Sequence, residues 1–139
     1  MEIILRMKSL LFTTLLAFLF LSSCSLQRKI TGTWNITEYS ENGVDGSSSS
    51  AVNAGKIEFN KNGTGANDLE YKIFGNRQKD KRSFTYYVGD DYITIKPAQN
   101  GDSITTKSWI IIESKRSKQL WKSTDGEGNV QTIVLKKAD

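Results

Sequence analysis

The chain has no histidine, one cysteine and one proline among its 139 residues. It carries no heptad repeat and no sustained 3.6-residue apolar period, which excludes a coiled coil and leaves no helix of useful length. Its longest apolar run, residues 10–21, is too short to cross a membrane, since a helix rising ~1.5 Å per residue needs about 20 residues to span ~30 Å of hydrocarbon. Without histidine, the usual metal-ligand and nucleophile–base sets are missing. A net charge of +4 is mild and demands no nucleic-acid partner. Asp90-Asp91 sits in a tight turn, where paired acids are commonplace. An enzyme is not expected, nor a metal or other cofactor.

What is present begins with "LLFTTLLAFLFLSSCS", residues 10–25. The apolar run follows Arg6 and Lys8 and ends in small residues, the layout of an export signal. Its ending, Leu21-Ser22-Ser23-Cys24, resembles the lipobox of bacterial lipoproteins. That resemblance implies cleavage before Cys24, diacylglycerol on its thiol and acylation of the new amino group. Anchoring would then be firm, because each buried methylene contributes about 0.8 kcal/mol. No thiol would remain for a disulfide, a metal or a nucleophile. Met7, opening "MKSLLF", makes a tidier start than Met1 and is the expected initiator. The expected organisation is a signal peptide over 1–23, a lipidated tether over 24–29 and one domain over 30–139.

Removing Arg6, Lys8 and Glu2 from 19 basic and 15 acidic side chains leaves 17 and 14, a net of +3 on the 116 residues from Cys24 onward. That length suffices for one core. Beyond the signal, apolar residues alternate in short segments bounded by turn residues, which predicts strands. Trp34 shares a face with Ile30 and Ile36, Ile57 with Phe59, Leu69 and Tyr71 with Ile73, Phe84 and Tyr86 with Val88, and Ile93 with Ile95. Ile104, Ile110 and Ile112 stand opposite Lys107 and Glu113; Leu120 and "VQTIVLKK" supply the last two strands. Asn62-Gly63 suits a tight hairpin.

Eight strands are predicted, joined by segments 40–55, 60–63, 75–82, 89–91, 97–103, 114–117 and 124–129. Long and short alternate, so an antiparallel meander gathers the long ones at one end. Closure into a barrel would remove exposed edges. The expected fold is therefore all-β: an eight-stranded antiparallel up-and-down barrel with an open mouth and a closed floor. The run Ser47–Ser50 reads as a mobile lip.

Gly32-Thr33-Trp34 at the start of the first strand resembles the lipocalin opening motif, in which the Trp plugs the closed end. With the lipobox and a Phe59–Thr64 hairpin of the form F-x-x-x-G-T, the chain is similar to small lipocalin-like lipoproteins of Bacteroidetes envelopes. Lipocalins usually place an Arg near the end of the last strand, packed over the Trp. Here Lys136 and Lys137 stand there.

An eight-stranded barrel is just wide enough to be filled by side chains or to hold one small ligand. Candidate inward residues are Trp34, Phe59, Tyr71, Phe84, Tyr86 and Ile110, which form either a packed core or a ligand pocket. Trp109 and Trp121 are expected to face outward. The closed end gathers Arg28, Lys29, Lys61, Lys115, Arg116, Lys118, Lys136 and Lys137 against Asp90, Asp91, Glu113 and Asp139. These bases either are solvated loop residues or rest on anionic headgroups, with the diacylglycerol on Cys24 beside them.

The function expected is binding of a small apolar or amphipathic molecule. The alternative is a protein-binding envelope module, such as an inhibitor of a lytic enzyme or protease, working through long loops. Ser25 after the cysteine is not the aspartate that retains lipoproteins in the inner membrane of enteric bacteria. The residues that follow are basic, not acidic. Both point to the outer membrane, facing the periplasm.

Overall fold

A computed structural model describes Ile3 and residues 25–98 and 106–139; the rest of the expected signal peptide, Cys24 and Ile104 lie outside the described residues. Among the described residues a short helix, α1 (Ser25–Ile30), precedes eight strands: β1 (Gly32–Asn42), β2 (Ser48–Phe59), β3 (Thr64–Ile73), β4 (Asn76–Val88), β5 (Tyr92–Pro97), β6 (Lys107–Ser114), β7 (Lys118–Thr124) and β8 (Val130–Lys137). Each strand pairs antiparallel with the next, and β8 pairs back onto β1 to close the barrel. The expected up-and-down barrel is the fold observed. Ile30, read as the start of the first strand, instead ends α1 and is fully buried.

The connections differ from expectation. Those at the mouth are mostly tight: residues 43–47 join β1 to β2, 74–75 join β3 to β4, and 125–129 join β7 to β8. Only the connection between β5 and β6 is long. Segments read as long loops are strand instead. The serine run belongs to β2, where Ser48 lies opposite Asn42 and Ser50 opposite Ser40. The charged stretch 76–82 pairs with β3 and turns through Phe74-Gly75, both at positive φ. These strand halves rise above the core. Both of their faces meet water, so they have no reason to alternate in hydropathy.

Below them the alternation is regular. In β8, Gln131, Ile133 and Leu135 are buried while the residues between them are not. Between Ile36 and Glu38 the register of β1 shifts against both neighbours: opposite β8 the extra residue is Thr37, and opposite β2 it lies on β2 at Asn53-Ala54. A bulge inserts one residue and so shifts which side chains point inward. Trp34 and Ile36 are buried below it, and Tyr39 joins the core above it.

Candidate functional site

The lower half of the barrel is filled. Phe59 lies at its centre, edge-on to Tyr86 at 5.0 Å, Phe84 at 5.5 Å and Trp121 at 5.8 Å between ring centroids. Edge-to-face pairs of this kind gain beyond their buried area. Gly65 is what lets the Phe84 ring lie flat against β3, because a Cβ there would stand 2.4 Å from it. Beneath this layer Trp34 donates its indole N–H to the Ile30 carbonyl at 2.7 Å. Lys137, its cross-strand partner, holds its Nζ 4.6 Å from the Trp34 ring centroid and donates to the Thr31 carbonyl at 2.6 Å. A lysine thus covers the tryptophan where the resemblance led one to look for arginine. The base is sealed.

Above the aromatic layer lies a cavity of about 230 Å³. Its deeper wall is apolar, formed by Ile36, Ile57, Phe84, Trp109, Trp121 and Ile133. Its upper wall carries Tyr39, Tyr71, Asp80, Arg82 and Lys107. The Tyr39 and Tyr71 rings sit 4.8 Å apart, and the Tyr39 hydroxyl donates to Glu41 at 3.4 Å. Burial raises the pKa of both phenols: the Tyr71 and Glu41 charges add to it at Tyr39, whereas at Tyr71 the hydrogen bond from Tyr39 works against it. Lys107 donates to Gln131, whose amide donates in turn to Glu41 at 3.3 Å. Its Nζ also stands 4.6 Å from the Trp109 ring centroid, and burial pushes its pKa down. On the far side Asn67 donates to Asp80 at 2.8 Å, and Arg82 pairs with the same carboxylate. The Asn67 Oδ1 is buried without a hydrogen-bond partner. The cavity is an apolar pit with a charged and phenolic rim, suited to a molecule with a greasy body and one polar end.

The structure distributes the six candidate inward residues unevenly. Tyr71 and Phe84 line the cavity; Trp34, Phe59 and Tyr86 are buried in the packed layer below it. Ile110 does neither. It is 56% exposed on the outer wall, and Ile112 shares that face. Trp109 and Trp121, expected outside, are buried, and both line the cavity. The inverted parity of β6 has a simple cause. Ile110, Ile111 and Ile112 are apolar on both faces, so hydropathy cannot choose between them. Reading Lys107 as outward then chose wrongly, because its ammonium turns inward over the Trp109 ring and reaches Gln131. Tyr39 was missed because the bulge is invisible in the sequence, and Asp80 and Arg82 because their strand was read as loop.

Of the basic residues expected at the floor, Arg28, Lys29, Lys61, Arg116 and Lys136 are exposed there. The Gln27 amide donates to the Lys61 carbonyl at 3.4 Å, tying α1 to the turn after β2. Lys115 and Lys118 share Glu113, at 3.0 and 4.0 Å, and Lys137 is turned onto Trp34.

Comparison with known proteins agrees with this architecture. The barrel resembles the crystal structure of a lipocalin-like protein from Bacteroides uniformis, with a TM-score of 0.55 and 16% identity over 79% of this chain and 99% of that one. It also resembles an uncharacterized protein from Bacteroides eggerthii, with a TM-score of 0.54 and 16% identity over 78% of this chain and 99% of that one. At such identity the likeness speaks for the fold alone. No curated protein matches the sequence. Residues 30–118 match the family model for the lipocalin-like domain, the match ending where β7 begins, and the chain belongs to that family.

Proposed function

We propose that the protein is an envelope lipoprotein whose barrel binds one small amphipathic molecule, with no catalytic role. The observation that carries this reading is the cavity: apolar below, with Tyr39, Tyr71 and Lys107 at its rim. Lipocalin-like barrels typically bind small hydrophobic ligands, and this pit fits that habit. At about 230 Å³ it lies below the ~300–1,000 Å³ of drug-sized sites. The ligand is correspondingly small, its body against Trp109 and Trp121 and its polar end at the rim. A barrel filled with aromatics throughout would have favoured the protein-binding alternative. Three of the four mouth connections are short and offer little for a loop-borne inhibitor to use.

In this reading diacylglycerol on Cys24 holds the domain at the outer membrane, on the periplasmic side. The lipobox-like ending and the basic residues after Cys24 support it.

Native mass spectrometry of residues 25–139 recovered from an envelope extract is the direct test; all eight strands and the core lie within that span. A bound small molecule is expected. Its addition to stripped protein should alter the emission of Trp109 and Trp121. Stripped protein that takes up neither the extract's small molecules nor an apolar fluorescent probe would end the proposal.

A further inference from the structure

The outer wall of the barrel is not uniform. On β1 to β3 the outward positions are mostly polar, among them Asn35, Lys56, Glu58, Asp68 and Glu70, with Val52 an exposed exception. On β4 to β8 they include an apolar stripe, crossed by Lys122 of β7 opposite Ile110. Tyr87 and Tyr92 are neighbours, their ring centroids 6.2 Å apart. Tyr92 lies opposite Ile110, Ile112 follows on the same face, and Leu120 pairs with Val134 beyond it. Tyr87 is 64% exposed, Ile110 56% and Ile112 54%. A sheet with one wet face ordinarily alternates apolar inside and polar outside. Adjacent exposed apolar residues on neighbouring strands mark an interaction surface.

We infer that this stripe lies against a lipid bilayer, so that the barrel rests on its β4–β8 wall and not upright on its floor. The inference rests on the reading of Cys24 as the lipid anchor. Three observations select lipid over another occupant. First, α1 contacts β6, the strand that carries Ile110 and Ile112, and Cys24 immediately precedes α1 in the sequence, so the anchor joins the domain through that element. Second, the stripe pairs tyrosines with isoleucines, an amphipathic ring at headgroup depth beside side chains that enter the acyl boundary. Third, the stripe is bordered by Lys96, Lys122, Lys118, Lys115 and Arg116, matching anionic headgroups. Asp90 and Asp91 oppose them in the turn before Tyr92 and Glu38 at the far edge, opposite Val134, while Glu113 is already engaged by Lys115 and Lys118.

Residues 25–139 contain no cysteine, so single labels can be introduced. Ile110→Cys, Val44→Cys and Lys61→Cys, each carrying an environment-sensitive dye, place reporters on the wall, at the mouth and on the floor. On vesicles of phosphatidylglycerol and phosphatidylcholine, the wall label should shift to the blue and the mouth label should not. Replacing Ile110 and Ile112 together by Ser should lower vesicle partitioning by roughly tenfold while uptake of an apolar probe into the cavity persists, which shows that the variant is folded. A shift at the floor label alone, or unchanged partitioning of the Ser variant, overturns the inference. So does a wall-label shift in vesicle-free concentrated protein accompanied by dimer in sedimentation, which would make a second copy the occupant. The mass of Cys24 in protein from its native membrane tests the anchor separately, and probe uptake tests the cavity separately.

Discussion

Lys137 shows how much one side chain can do at the sealed end. Its ammonium meets the Thr31 carbonyl and the face of Trp34, the residue that closes the barrel. Lys137→Met keeps the stem and removes both interactions, and should cost about 1–2 kcal/mol in urea denaturation. Lys137→Arg should retain most of that, since a guanidinium serves the same carbonyl and ring. Tyr39 offers a second measurement. Its hydroxyl ionises above the ordinary phenol value, chiefly because burial strips the phenolate of water. A group whose pKa is raised in the folded state holds its stability contribution below the unfolded value, ~10 for tyrosine, and loses it as pH climbs past that. Alkaline loss of stability should therefore be steeper in the native sequence than in Tyr39→Phe. Parallel curves from denaturant titrations at stepped pH would show that the buried hydroxyl contributes nothing.

Among the elements, the β3–β4 hairpin departs furthest from what its sequence suggests. Its turn residues, Phe74 and Gly75, have φ of 45° and 79°, a pair of positive angles that two-residue hairpins favour and that Asn-Gly serves best. Phe74 is 44% exposed, so little packing is lost by changing it. Phe74→Asn should stabilise the domain by roughly 0.5–1 kcal/mol, read as a rise in Tm. Gly65→Ala should act the other way. The added methyl would meet the Phe84 ring and the Glu58 carbonyl, at a cost of about 1–3 kcal/mol. The strands above the core were illegible for a physical reason: Lys81 pairs with Asp68, and Arg77 with Glu70, on a ribbon that buries little. Opposite charges across strands stabilise such a ribbon without any apolar period to betray it.

At the scale of the molecule, closure puts residues from all parts of the chain around one cavity. Leu69→Trp, placed on the cavity wall, should abolish probe uptake while leaving the fold cooperative, as fluorescence titration and thermal unfolding would report. Reversing Lys115, Arg116 and Lys118 to Glu should weaken the partitioning of residues 25–139 onto anionic vesicles and leave their weaker binding to neutral vesicles unchanged. Equal partitioning before and after reversal would remove charge from the account of membrane contact. The class of fold, the number of strands and the plug formed by Trp34 were legible in the residues themselves, because half-buried strands must alternate and tight turns need particular side chains. Inward facing of Phe84 and Tyr86 followed from the same alternation. On β6 alternation failed because both faces are apolar, and on β7 because the inward neighbours of Trp121 are the polar Gln119 and Ser123; only the paired strands show that Trp109 and Trp121 turn inward while Ile110 turns out. The bulge at Thr37, which brings Tyr39 to the cavity, is likewise a property of the closed sheet: each strand's register depends on two neighbours, and no single segment of sequence contains both.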